Sequence, residues 1–221
     1  MPGKNIAPIK GKPLVAYTIE AARDAKLLTR CVVSTDDEAI AQVARDWGAD
    51  VPFMRPAALA TDMALTFPVL VHALEHVERE ENAIYDIVVL LQPTTPLRTS
   101  GDIDEGVRML RDSDADSVVS IVDVGGNHPF RMKRLLDDGR LINYIDQGFE
   151  DMRPRQELPA TYIRCGALYI TRRDVMVKQE RLVGDRCLGL VLPKERAVNI
   201  DEKTDLYVAE RLLADRLQGP R

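Results

Sequence analysis

The segment DIVVLL, Asp86 to Leu91, constrains the fold of this chain most. Five consecutive apolar residues leave no polar face, so both faces must be covered, as in a central strand of a parallel sheet. The surrounding sequence alternates. CVVS (Cys31 to Ser34) precedes a helix carrying Ile40, Val43 and Trp47 and stopping at Gly48, and DVPF adds a brief strand. A helix from Thr66 to Glu78 buries Val69, Ala73 and Val77, and another carries Ile103, Val107 and Leu110. SVVSIV (Ser117 to Val122), GALYIT (Gly166 to Thr171) and LGLVLP supply further strands. Pro13 opens a helix bearing Leu14, Thr18, Ala21 and Ala22, and the last helix buries Leu206, Leu213 and Leu217. Strands alternating with helices of this length predict an α/β, doubly wound, mostly parallel sheet.

From about residue 123 to 162 this rhythm breaks. The stretch is polar, holds Pro129, Pro154 and Pro159, and reads as an excursion from the main sheet. The 221 residues fit one domain, 1–221, with that excursion as a subdomain. A net charge of −5 argues against a nucleic-acid coat or a membrane-surface protein. Cys31, Cys165 and Cys187 lie far apart without CxxC spacing, so neither zinc nor a disulfide framework is indicated, and a reduced, cytoplasmic setting fits. No apolar run reaches the length of a membrane span.

In an open α/β sheet, ligands bind beyond the carboxyl ends of the strands. LLQPTTPLRT leaves the buried strand there, and Pro93 and Pro96 stiffen it. Two readings are open: a rigid loop presenting Gln92 to a polar ligand, or a strand-to-helix turn capped by Thr99 or Ser100. TDD, after CVVS, can cap the following helix. Arg55, in RPAALATD, suits a base edge or a phosphate, or is a surface arginine. In VNIDEKTD, Asn199 and Asp201 are two apart, so on extended backbone their oxygens face one way and suit Mg²⁺, while Asp205 suits the dipole of the final helix. RPRQELP places Arg153, Arg155 and Gln156 on the excursion, to grip a carboxylate or to be solvated. His72 and His76 lack the HExxH pattern and read as a solvated face; His128 carries no signal. No nucleophile motif is present, and Cys165 reads as packing.

Taken in order, PGKN, VVSTDD, RPAALATD, LLQPTTPLRT, RPRQELP, GALY and NIDEKTDL resemble the acylneuraminate cytidylyltransferase family, the CMP-sialic acid synthetases and their nonulosonic-acid relatives. The resemblance implies a Rossmann-like nucleotidyltransferase fold. It implies transfer of cytidylate from CTP to the anomeric hydroxyl of a 2-keto sugar acid, with release of pyrophosphate and with Mg²⁺ as cofactor. By position it implies Lys4 on the triphosphate with Asn5 beside it, Arg55 and Ala64 at the cytosine, and Thr66 near the nucleotide. Gln92, Arg155, Gln156 and Tyr169 would meet the sugar, with Arg164 only loosely aligned. Asp201 would hold the metal, and Asn199 stands where the family commonly has a second aspartate, which implies weaker or water-mediated Mg²⁺ binding. Cys165 replaces a common asparagine. The excursion at 123–162 would form a dimerisation subdomain reaching the partner's active site, making a homodimer. No residue reads as a general base.

PGKN matches the end of the family's phosphate loop, whose leading strand and basic first half are absent here. The expectation is a chain truncated relative to the working protein, with Met1 an internal methionine or a miscalled start. A synthetase for the eight-carbon acid KDO or for another nucleotide, and a catalytically weak dimeric nucleotide-binding protein, are the alternatives.

Overall fold

The computed structural model describes residues 3–61 and 63–217, so Met1 and the side chain of Leu217 lie outside the described residues. The chain enters through a single 3-10 turn at Lys4–Ile6 and a small hairpin, β1 (Pro8–Ile9) with β2 (Lys12–Pro13). Lys10 and Gly11 both take positive φ, 51° and 78°, which a two-residue hairpin turn of this hand requires. Helix α1 (Leu14–Arg23) follows. Pro13 is extended, at φ −57° and ψ 141°, so it caps the helix instead of opening it.

Helix α2 (Glu38–Asp46) is capped by Asp37, whose Oδ1 accepts the amide of Ala39 at 2.8 Å, and ends at Gly48 with φ 82°. Its buried face centres on Ala41 and Ala44, with Ile40, Val43 and Trp47 half-buried at the flanks. Helix α3 (Thr66–Glu81) runs three residues past its expected end and buries Leu74 and Val77, leaving Val69 and Ala73 half-buried. Strand β3 (Ile87–Leu90) leads to α4 (Ser100–Arg111), where Thr99 and Asp102 form a reciprocal capping box. Then come β4 (Ser117–Asp123), the hairpin β5 (Lys133–Leu135) with β6 (Leu141–Asn143), β7 (Tyr162–Arg172), α5 (Arg173–Gln179), β8 (Cys187–Val191) and α6 (Lys203–Leu217). Helix α5 has no counterpart in the sequence reading.

The main sheet has the order β3-β7-β4-β8. Strands β3, β4 and β8 point one way, and β7 runs against both of its neighbours. This is the mixed, mostly same-way sheet flanked by helices that the alternation predicts. Two expected strands shrink, because CVVS and DVPF share a single bridge, Val32 to Asp50. Strand β3 also stands at one end of the order among the described residues, half-buried, where its composition suggested the middle. Hydropathy reports which side chains avoid water and says nothing of how many strand neighbours a segment has.

One interruption of the sheet sets up the site. Val119 is paired with Tyr169 but Ile121 with Arg164, so β7 carries extra residues between those two points. This bulge, Cys165 to Leu168, frees backbone groups from the ladder. Ser120, fully buried, donates to the Cys165 carbonyl at 2.8 Å and accepts the Leu168 amide at 2.9 Å. The Ala167 carbonyl takes Arg98 Nε at 2.8 Å, and the Gly166 carbonyl takes the Gln92 amide at 3.3 Å. Each of these four freed groups therefore has a partner.

The core lies in three parts. Ile103, Val107 and Leu110 of α4 pack on Val118 of β4 and Ile170 of β7. Val15 and Ile19 of α1 pack with Ala44 of α2. A third cluster joins Ile9, Leu14, Leu97, Ile200 and Leu213, and thus ties the first hairpin, α1, the loop after β3 and α6 together. The excursion stands apart as a hairpin with exposed apolar side chains. His128 pins its neck, since Nδ1 accepts the Phe130 amide at 3.1 Å and Nε2 meets the Pro159 carbonyl at 3.1 Å.

Candidate active site

The third core cluster brings residues 4, 92–98 and 199–201 to one place at the carboxyl end of β3. The amide of Ile200 donates to the Thr94 carbonyl at 2.8 Å, so the segment before α6 is tied to the loop after β3. Lys4 Nζ donates to the Ile200 carbonyl at 3.2 Å and lies 3.4 Å from Asp201 Oδ1. The Asn199 amide donates through Nδ2 to the Asp201 carboxylate. That bond sets the amide's orientation, because the opposite flip would put two oxygens in contact. Its Oδ1 is left buried with no hydrogen-bond partner. Asp205 Oδ2 accepts the amides of Asp201 and Glu202 at 2.9 and 2.8 Å, so it shapes the helix start, as expected. The Asp201 carboxylate and Asn199 Oδ1 are hard oxygens of the kind a divalent cation such as Mg²⁺ takes, but it is the Asn199 nitrogen, not Oδ1, that faces Asp201, so the oxygen pair expected from the spacing is not formed. Among the described residues, no group of three or more His, Cys, Asp or Glu side chains gathers to hold a metal, so most of its ligands would come from water and phosphate.

Gln92 leaves β3 opposite the bulge. A Cβ added at Gly166 would collide with Gln92 Oε1 and would lie 3.1 Å from Thr95 Oγ1. The bare Gly166 is therefore what lets the Gln92 amide occupy its place. Thr95 Oγ1 is buried without a partner beside it. The capping reading of LLQPTTPLRT is met by Thr99 at the start of α4, and the Gln92 side chain lies against Gly166 of the bulge.

The other expected site residues fall into separate groups. Arg55 is folded onto Ser34, with Nε 3.1 Å from Oγ and its guanidinium also donating to the Ser34 carbonyl. Burial lowers its pKa, partly opposed by Asp36. Its amide donates to the Thr35 carbonyl at 2.8 Å, which holds the two strand-end loops together. Asn5 sits in the turn that packs against α1 and α2. Ala64 lies in a turn just before α3, its amide on the Thr61 carbonyl at 2.9 Å. Thr66 is the first residue of α3, and Leu65 before it has no side chain able to cap the helix. Tyr169 is half-buried in β7, paired with Leu90 and Val119, beyond the bulge. It makes no side-chain hydrogen bond to Gln92 among the described residues.

The excursion arginines are engaged within the molecule. Arg153 is locked on Asp151 at 2.6 Å, so it does not pair with Arg155 around a ligand. Arg155 lies 3.1 Å from Asp123, at the end of β4, with Lys194 at 3.5 Å on the same oxygen. The Gly125 amide, then Arg155 and Lys194, hold the Asp123 carboxyl below the usual carboxylate range. Gln156 follows in the same turn, and Arg164 is exposed nearby on β7. His72 and His76 are not a solvated face. Their rings pack on Phe53, at 4.9 and 4.6 Å between centroids, and His72 Nδ1 is buried. Phe53 lies outside α3, so helical spacing alone could not reveal this contact. Sequence reasoning also missed Ser120 and the inward turn of Arg98, which only the bulge explains.

Residues 1–173 match the profile of the family described as Cytidylyltransferase. The chain is 29% identical over 213 residues to the post-translational flagellin modification protein B of Campylobacter coli, covering 96% of this chain and 89% of that one. It is 31% identical over 207 residues to an N-acylneuraminate cytidylyltransferase of Escherichia coli O18:K1:H7, covering 93% of this chain and 47% of that longer protein. The fold is shared with a CMP:2-keto-3-deoxy-manno-octonic acid synthetase solved with CTP, at a TM-score of 0.69 and 19% identity, over 98% of this chain and 93% of that one.

Proposed function

The chain belongs to the cytidylyltransferase family, and from that membership we propose that it activates a nonulosonic acid with CTP, giving the CMP-sugar and pyrophosphate. The observation that carries this reading is the convergence of Lys4, Asn199 and Asp201 on the loop that presents Gln92. The likeness to an N-acylneuraminate cytidylyltransferase points to the sugar class.

In the proposed reaction the anomeric hydroxyl of the sugar acid attacks the α-phosphorus of CTP. The bond from that phosphorus to the β-phosphate bridging oxygen breaks, pyrophosphate leaves, and the hydroxyl proton passes to solvent. Such transfer asks for alignment and charge neutralisation more than for covalent help. Lys4 brings one positive charge to the triphosphate side. Arg55 and the backbone around Ala64 bind the base, and the N-terminal end of α3 at Thr66 favours negative charge. Gln92 holds the sugar. Asp201 and Asn199 would hold Mg²⁺, which supplies charge neutralisation at the phosphates when bound. Arg155 and Gln156 serve the sugar carboxylate from the excursion, which we assign to the contact between two copies. We place the reaction in the cytoplasm, where free Cys31, Cys165 and Cys187 stay reduced. No helix among the described residues is long and apolar enough to cross a membrane.

The test is pyrophosphate release with CTP and Mg²⁺ across sialic, legionaminic, pseudaminic and KDO acids. A nonulosonic acid turns over best, and Asp201→Ala loses activity by at least about a hundredfold while keeping its circular dichroism and melting profile. Release with none of these acids, or an Asp201→Ala variant as active as the parent, overturns the reading.

A further inference from the structure

Arg98 is the largest of the fully buried side chains, 1% exposed, and it meets no carboxylate within ion-pair distance among the described residues. Asp102, the carboxylate closest in effect, is taken up by Thr99 and Arg196. Burial pushes the pKa of Arg98 down to about 9, so it is charged at neutral pH and its burial is unfavourable throughout the range below that value. A buried charge without a counter-charge is not a device for stability. Its geometry suggests another use. Nε donates to the Ala167 carbonyl in the bulge at 2.8 Å, and one terminal nitrogen donates to Thr18 Oγ1 of α1 at 2.6 Å. The other donates to the carbonyl of Gln92. A planar fork can serve three such acceptors at once; an ammonium cannot do so with the same geometry.

Gln92 is thus fixed at both ends. Arg98 grips its backbone from within, and Gly166 leaves room for its amide from across the bulge. We propose that Arg98 is a positioning residue for sugar-acid binding, which acts by setting the Gln92 amide and never touches substrate. This rests on the reading of Gln92 as a sugar contact.

The experiment is a double-mutant cycle in the full chain, with CTP, Mg²⁺ and the most active acid of the panel above. Gln92→Ala raises KM for the acid, which tests the underlying reading by itself. Arg98→Lys raises the same KM by roughly tenfold with KM for CTP changed by less than about twofold, as expected for a displaced contact. In the Gln92→Ala background, Arg98→Lys has no further effect on KM for the acid. Thr18→Val removes an acceptor on the side of Arg98 away from Gln92, and it gives a smaller shift in the same direction even if Arg98→Lys fails to fold. Additive effects in the cycle, or equal rises in both KM values, overturn the positioning role while leaving Gln92 as a sugar contact. An unchanged acid KM in Gln92→Ala overturns both.

Discussion

At the scale of single residues, the Mg²⁺ site we propose turns on Asn199. Its Oδ1 is buried and unpartnered, and its Nδ2 donates to the Asp201 carboxylate. Lys4 and Asp201 cancel in charge there, and Asn199 adds none. Asn199→Asp gives the site a second carboxylate, and the Mg²⁺ concentration for half-maximal activity falls by about tenfold, or roughly 1.4 kcal/mol. A titration of activity against Mg²⁺ that is unmoved would remove Asn199 from the cation site. Gly166 makes a complementary case. Any Cβ there displaces the Gln92 amide, so a residue without chemistry of its own decides where that side chain can lie.

At the scale of elements, the bulge in β7 ties the packing of the sheet to the Gln92 contact we propose. Ser120 holds it by serving two backbone groups at once, in a place no water reaches. Ser120→Ala leaves both unpaired and lowers unfolding stability by about 1–3 kcal/mol. It also loosens the strand segment that faces Gln92. Chemical denaturation measures the first effect, and a raised KM for the sugar acid measures the second. A variant as stable as the parent would mean that the bulge is held by its neighbours alone.

At the scale of the whole molecule, the excursion carries several exposed apolar side chains. Leu135, Leu141, Tyr144, Phe149 and Met152 are each more than half exposed on it, Met152 by 82%. Apolar side chains exposed together on one small unit are what an interaction surface would present. A second copy covers it in our reading, which also gives Arg155 a site to reach. Leu141→Asp therefore shifts the protein from dimer to monomer in analytical ultracentrifugation, and activity falls with it. A parent that sediments as a monomer at assay concentration refutes this arrangement.

The sequence by itself determined the α/β alternation, the helices built on Leu14, Ile103 and Leu213, and that Asn199 and Asp201 lie side by side, though not that the Asn199 nitrogen would face the carboxylate. These follow from periodicities and spacings that act over a few residues. Only the tertiary structure decided that β7 runs against its neighbours, that Arg98 turns inward, that Arg153 is spent on Asp151, and that His72 and His76 pack on Phe53. Three of these turn on contacts between distant segments. Strand direction, the reach of Arg98 to residue 167 and the approach of Phe53 to α3 are fixed by which surfaces close on one another, and no local pattern of hydropathy carries that information. Arg153 is different: its partner is two residues away, and the irregular loop, not the spacing, decides whether the two side chains meet.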